Sequence, residues 1–131
     1  MKALITGASS GIGQEIAREL AARGYELILV ARRRDRLEAL ARELTVKCRI
    51  FEMDLSDVEQ CRMLYCRARG EDLDILVNNA GFGLCGSFAA TSLDRDLEMI
   101  RTNVTAVHVL TKLFLHDFRL KNHGYILNVA S

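Results

Sequence analysis

Within eight residues near the start of the chain stand Gly7, Ser9, Ser10, Gly11 and Gly13, in the run Thr6-Gly7-Ala8-Ser9-Ser10-Gly11-Ile12-Gly13. These types at this spacing suit one kind of chemistry, the holding of an anion by backbone. Gly7, Gly11 and Gly13 allow a tight turn and let a phosphate come close to the main chain. Ser9 and Ser10 add hydroxyl donors. A helix opening at Ile12 would turn its free N–H groups and the positive end of its dipole toward the same anion. The spacing is not the G-x-G-x-x-G dinucleotide fingerprint, nor a P-loop, because no lysine follows the last glycine. A second cluster, Arg32-Arg33-Arg34, follows an apolar run. Guanidinium groups bind phosphate through paired hydrogen bonds and stack on flat rings. The cysteines (Cys48, Cys61, Cys66 and Cys85) fit no paired zinc spacing, and His108, His116 and His123 form no i, i+4 pair. No metal site is expected.

The periodicity of the chain says what must position these residues. Short apolar runs predict strands over 2–6, 25–31, 48–54, 74–78 and 125–129. Between them lie helical patterns. The first, over 12–23, carries Ile12, Ile16, Ala17 and Leu20 on one face and stops at Gly24. The second, over 34–44, turns Leu37, Leu40, Ala41 and Leu44 inward. The third begins at Ser56, which with Glu59 reads as a capping box, and runs to about residue 69. After a glycine-rich loop, Ser92 or Asp94 opens a long helix ending near Asn122. Its apolar steps are Leu97, Ile100, Val104, Val107, Thr111, Phe114 and Phe118. Alternation of strand and helix predicts an α/β fold, a doubly wound parallel sheet of five strands in the order 3-2-1-4-5 with helices on both faces. On that order the last strand is an edge.

Composition narrows the classes. With 131 residues, half of them hydrophobic, the whole chain reads as one domain with a core of its own and not as a disordered segment. A net charge of +1 and a single basic cluster give no nucleic-acid stripe and no membrane surface. The apolar run at the start is too short for a signal-peptide core, and no run approaches a membrane span, so a cytoplasmic location is expected.

The motifs, taken in register, carry a resemblance. The chain resembles the short-chain dehydrogenase/reductase family, whose glycine signature is T-G-x-x-x-G-x-G. "NNAG" at Asn78 to Gly81 stands at the end of the fourth strand, as in that family. "MDLSD" places Asp54 and Leu55 after the third strand, and "NVTAVHVLTKLFL" and "GYILNVAS" are similar to the family's long helix and fifth strand. The resemblance implies a Rossmann-type fold and hydride transfer between a nicotinamide cofactor and a carbonyl or alcohol. It implies cofactor contacts from Gly7, Ser9, Ser10, Gly11, Ile12 and Gly13, adenine contacts from Asp54 and Leu55, and further contacts from Asn79, Ala80 and Gly81. Asn79 reads equally as a tie between strand ends. Asn103 aligns with the asparagine of a proton relay, and Ser131 with the catalytic serine.

In dinucleotide folds an acid at the end of the second strand holds the ribose 2′-hydroxyl, whereas arginine accommodates a 2′-phosphate. Here Ala31 is followed by Arg32, Arg33 and Arg34, with no carboxylate before Asp35. The expected cofactor is NADP, with Arg32 its main phosphate contact and Arg33 the second. The family's catalytic Tyr-x-x-x-Lys is absent: four residues after Tyr25, Tyr65 and Tyr125 stand Leu29, Arg69 and Val129. The chain therefore reads as the N-terminal, cofactor-binding portion of a longer enzyme, inactive alone. A stand-alone NADP-binding module or redox sensor is the alternative. The resemblance also implies a small-molecule substrate, whose pocket Leu84, Cys85 and Phe88 would line on one side. A homo-oligomer is expected through the long helix or the exposed edge strand.

Overall fold

Strands flanked by helices on both faces must be apolar on both sides, and the runs that meet this condition take the middle of the sheet. The computed structural model describes residues 1–130. In it β1 (Lys2–Thr6) lies between β2 (Glu26–Ala31) and β4 (Ile75–Asn78), with β3 (Cys48–Glu52) and β5 (Tyr125–Asn128) at the edges. All pairings are parallel, and the order is β3-β2-β1-β4-β5, as the sequence predicts. Ala3 sits opposite Leu27 on one side and Ile75 on the other, which fixes the register of the centre.

Alternation along each strand feeds two separate layers. Ala3, Ile5, Leu27 and Leu29 pack under α1 (Gly11–Ala22) and α2 (Arg34–Glu43), where Ala17, Leu37 and Leu40 are fully buried. Leu4, Ile28, Val30 and Leu76 face α3 (Val58–Ala68) and α5 (Ala106–Leu120). There the Tyr65 and Phe114 rings meet edge to face, 5.2 Å between centroids. Burial pushes the Cys61 thiol in this layer up to about 11, so it packs as a small apolar group. This is a Rossmann-type doubly wound fold.

Three expectations are corrected. Ser56 and Glu59 form no capping box: Asp57 caps α3 by accepting from the Glu59 N–H at 2.9 Å, while the Ser56 hydroxyl donates to Asp54 at 2.7 Å. The nearer acid at Asp54 wins the serine, and Asp57 stands one residue closer to the helix. Ile12 does not share the inward face of α1; it is 61 % exposed and lines the groove at the strand ends. The long helix opens at Ser92 as expected but is not α-helical throughout: α4 (Leu93–Ile100) passes through a π turn over Arg101–Thr105 into α5. The Ala106 N–H reaches back to the Arg101 carbonyl, five residues away. That step moves the helical register, so the buried stripe runs Ala106, Leu110, Phe114, Phe118, while Leu97, Ile100 and Val104 are exposed. Among the described residues no helix is long and apolar enough to cross a membrane.

Candidate functional site

A groove of about 770 Å³ opens where β1, β2 and β4 end. The strand order reverses at this point, with the chain leaving β1 toward β2 and later returning on its other side to β4. Loops at such a switch point part from one another and leave a crevice.

The first wall is the loop between β1 and α1. Gly7 has φ +66° and Gly11 φ +54°, backbone that other L-residues rarely adopt. A Cβ on Gly7 would lie 2.8 Å from the Ala80 Cα, so the bare residue lets the β1 and β4 loops touch. On Gly11 a Cβ would meet nothing within 4 Å; its backbone faces the open groove. Ser10 is the N-cap of α1, but its side chain makes no capping bond and the first turn carries no acid. The N–H groups of that turn are thus left to an outside anion, with the helix dipole unopposed.

The second wall is the end of β2. Ala31 is buried, and Arg32 and Arg33 line the groove beyond it. The Arg32 side chain is 59 % exposed and lies 3.4 Å from the Glu98 carboxylate on α4. Arg34 turns to Glu38, at 2.8 Å. Asp54 and Leu55 close this side. The Asp54 backbone N–H donates to Gln60, and its Oδ1 accepts from both the N–H and the hydroxyl of Ser56. These bonds hold the carboxyl group at the rim.

The floor is the end of β4. Thr6, only 1 % exposed, accepts at Oγ1 from the Asn79 and Ala80 N–H groups, each at 3.0 Å, and donates to the Val77 carbonyl. The Asn79 side-chain amide donates to the Thr6 and Gly7 carbonyls at 3.2 Å. Its amide nitrogen therefore ties strand ends together while the residue lines the groove. Asn103 sits in the π turn and grips the loop opposite: its Oδ1 accepts from the Phe82 N–H at 3.0 Å, and its Nδ2 donates to the Phe82 carbonyl at 2.8 Å. Gly81 permits this approach, since a Cβ there would stand 2.9 Å from the Asn103 Oδ1. π turns inside helices recur at functional sites.

The structure brings together Gly7, Ser9, Ser10, Gly11, Ile12, Arg32, Arg33, Asp54, Leu55, Asn79, Ala80, Gly81 and Asn103 on one groove. Gly13 does not line it. A Cβ on Gly13 would lie 2.3 Å from the Gly7 carbonyl oxygen, so this glycine seats α1 against the loop instead. Leu84, Cys85 and Phe88, expected on one side of a substrate pocket, do not line this groove, where Phe82 and Gly83 do; Phe88 is 89 % exposed. Ser131 lies outside the described residues. Thr6 is a site residue beyond the sequence expectations, signalled only by a hydroxyl that ends an apolar strand just before a glycine. Met99, Thr102 and Val107 also line the groove, and their helical positions carry no sign of it. Among the described residues no tyrosine lines it: Tyr65 is packed against Phe114, and burial, with its hydrogen bond to Asp117, raises its pKa.

The uncapped, acid-free helix start, the open backbone at Gly11 and the guanidinium groups beyond Ala31 set groups that suit anions along one groove. Comparison with known proteins gives the family. The model of the short chain dehydrogenase family matches residues 1–131. Nodulation protein G of a Rhizobium species is 41% identical over 99% of this chain and 54% of its own length. An NADP-dependent 3-hydroxy acid dehydrogenase of Schizosaccharomyces pombe is 39% identical over 98% of this chain and 52% of its own. Among solved structures, a short-chain dehydrogenase from Sphingobium yanoikuyae in complex with NADPH superposes with a TM-score of 0.92 at 35% identity, over 99% of this chain and 53% of that one. The chain spans about half the length of the curated relatives it matches.

Proposed function

We propose, from the premise that this chain belongs to the short-chain dehydrogenase family, that its groove binds NADP(H) and that the chain is the cofactor-binding portion of an enzyme acting on a small-molecule carbonyl or secondary alcohol. One observation carries the cofactor preference: the acid-free end of β2, with Arg32 and Arg33, opens into the same groove as the uncapped start of α1.

In this reading the N–H groups of the Gly11–Gly13 turn, with Ser9 and Ser10, hold the pyrophosphate. Arg32 and Arg33 hold the 2′-phosphate. The Asp54 carboxyl and the Leu55 backbone meet the adenine, and Asn79, Ala80 and Gly81 form the floor under the rest. The bound cofactor supplies or accepts the hydride. Asn103 keeps the Phe82 loop at the reacting end through both bonds of its amide. Ser131 would hydrogen-bond the substrate oxygen. No Tyr-x-x-x-Lys is present to move the proton. General acid–base catalysis contributes on the order of 10²–10⁴ in rate, so the 131-residue chain alone binds cofactor without turning substrate over. A non-catalytic NADP-binding module would bind alike; a Tyr-x-x-x-Lys encoded shortly after Ser131 separates the two. Self-association is part of the reading, supported by the exposed Leu93, Leu97, Ile100 and Val104 on one helical stretch and by the β5 edge.

Calorimetric titration with NADP⁺ and NAD⁺ tests the binding. NADP⁺ should bind more tightly, and Arg32→Ala should weaken it about 10- to 100-fold, as expected for lost hydrogen bonds to a charged group. NAD⁺ affinity should change less than about twofold, since the lost contact is to the extra phosphate. Equal affinities, unaltered by Arg32→Ala, would overturn the reading.

A further inference from the structure

The guanidinium assigned to the 2′-phosphate already has an anionic partner. Arg32 Nη1 lies 3.4 Å from Glu98 Oε1, a contact between the end of β2 and a helix 66 residues later in the chain. That distance is at the weak end of the hydrogen-bond range. The other oxygen of the same carboxylate is held far more closely, by Arg95 Nη1 at 2.7 Å. Arg95 in turn lays its guanidinium over the Phe82 ring, 4.7 Å from the centroid, and Phe82 is the residue gripped by Asn103. Arg32, Phe82 and Asn103 line the groove, whereas Glu98 stands behind them with its side chain 22 % exposed.

We propose that Glu98 sets the cofactor preference as an internal competitor for Arg32. The proposal rests on the reading of Arg32 as the phosphate contact. A 2′-phosphate that takes the Arg32 fork must break the Arg32–Glu98 pair and then sit near a like charge. Arg95 makes this exchange tolerable, because Glu98 keeps its shorter ion pair when Arg32 leaves and no carboxylate is stranded. NAD(H), with a hydroxyl at the same place, leaves the Arg32–Glu98 pair intact. The carboxylate therefore lowers NADP affinity without touching NAD affinity and holds the preference below what the arginines alone would give. Glu98 is a positioning residue: it makes no contact with the cofactor and acts by holding Arg32 and by its charge beside the phosphate.

The test is a binding cycle on the 131-residue chain, read by calorimetry with NADP⁺, NAD⁺ and 2′-AMP. Glu98→Gln keeps the shape and the Arg95 contact but removes the charge. It should tighten NADP⁺ and 2′-AMP about three- to tenfold and move NAD⁺ by less than about twofold. Arg95→Ala should do the reverse, weakening NADP⁺ several-fold, since Glu98 then has only Arg32 to pair with. That weakening should vanish in the Glu98→Gln background. Equal shifts for NADP⁺ and NAD⁺, or no tightening of NADP⁺ in Glu98→Gln, overturn the role of Glu98 while leaving the Arg32 assignment standing, provided Arg32→Ala still weakens 2′-AMP. If Arg32→Ala leaves 2′-AMP binding unchanged, the phosphate assignment itself fails and the competition with it.

Discussion

At the end of the sheet where β1 and β4 begin, acid meets base in a connected series. Lys2 Nζ pairs with Glu71 at 2.7 Å and with Glu26 at 3.4 Å, and Glu71 also meets Arg49. The Lys2 N–H donates to Asp74 at 2.7 Å, while His123 approaches the other oxygen of Asp74 at 3.2 Å. At the opposite end of the same strands the series stops. The first turn of α1 has no acid and no side-chain cap, Gly11 faces open space, and the arginines after Ala31 point at a groove. One rim satisfies its charges and donors within the protein. The other holds its donors in place with buried hydrogen bonds one layer below, at Thr6 and Asn79, leaves the first N–H groups of α1 without a side-chain cap, and gives Arg32 only the long 3.4 Å pair to Glu98. The contrast teaches that a binding rim is not a loosely built one: its precision lies in the supporting layer.

The strongest challenge to this contrast is Gly13→Ala. The added methyl group would stand 2.3 Å from the Gly7 oxygen and 2.4 Å from the Asn79 amide nitrogen, so α1 or the loop must move. The expected cost is about 3 kcal/mol in urea unfolding, the upper end for forcing atoms into a packed site, with loss of nucleotide binding. Normal stability together with normal binding would show that the layer below the rim is slack. Next is Thr6→Val, which removes an acceptor serving two N–H groups. It should cost about 2 kcal/mol, and Thr6→Ser should restore most of it, because only the hydroxyl matters to those donors. Smallest is Glu71→Gln at the paired rim. Its ion pairs are partly solvated, so unfolding should shift by about 0.5–1 kcal/mol, with nucleotide affinity unchanged. A larger loss than that of Thr6→Val, or any change in binding, would reverse the ranking of the two rims.

What the sequence disclosed follows from how local each cause is. The β1 and β2 runs are apolar because both faces are covered, so their centrality was legible. The arginines after Ala31 and the glycines after Thr6 carry their chemistry in their own types. The π turn at Arg101–Thr105 was not legible, since apolar spacing from Leu97 to Phe118 fits an unbroken helix and the extra residue shows only in the bond from Ala106 to Arg101. The structural part played by Gly13 depends on how closely α1 seats on the loop, a tertiary distance. So does the pairing of Arg32 with Glu98, which joins elements far apart in sequence. Thr6 was readable in principle, but a hydroxyl at a strand end gains its meaning only when β4 arrives beside it.

That late arrival shapes how the chain comes into being. β1 leaves the ribosome well before β4 and α5, so Ala3 must wait for Ile75, and the other face of the strand must wait for Leu110, Phe114 and Phe118. Folding that depends on such distant pairings is slow, and a half-covered apolar strand invites the wrong neighbours in the meantime. During translation this apolar strand thus stays bare along one margin until β4 has been made, an open edge of the kind that pairs wrongly.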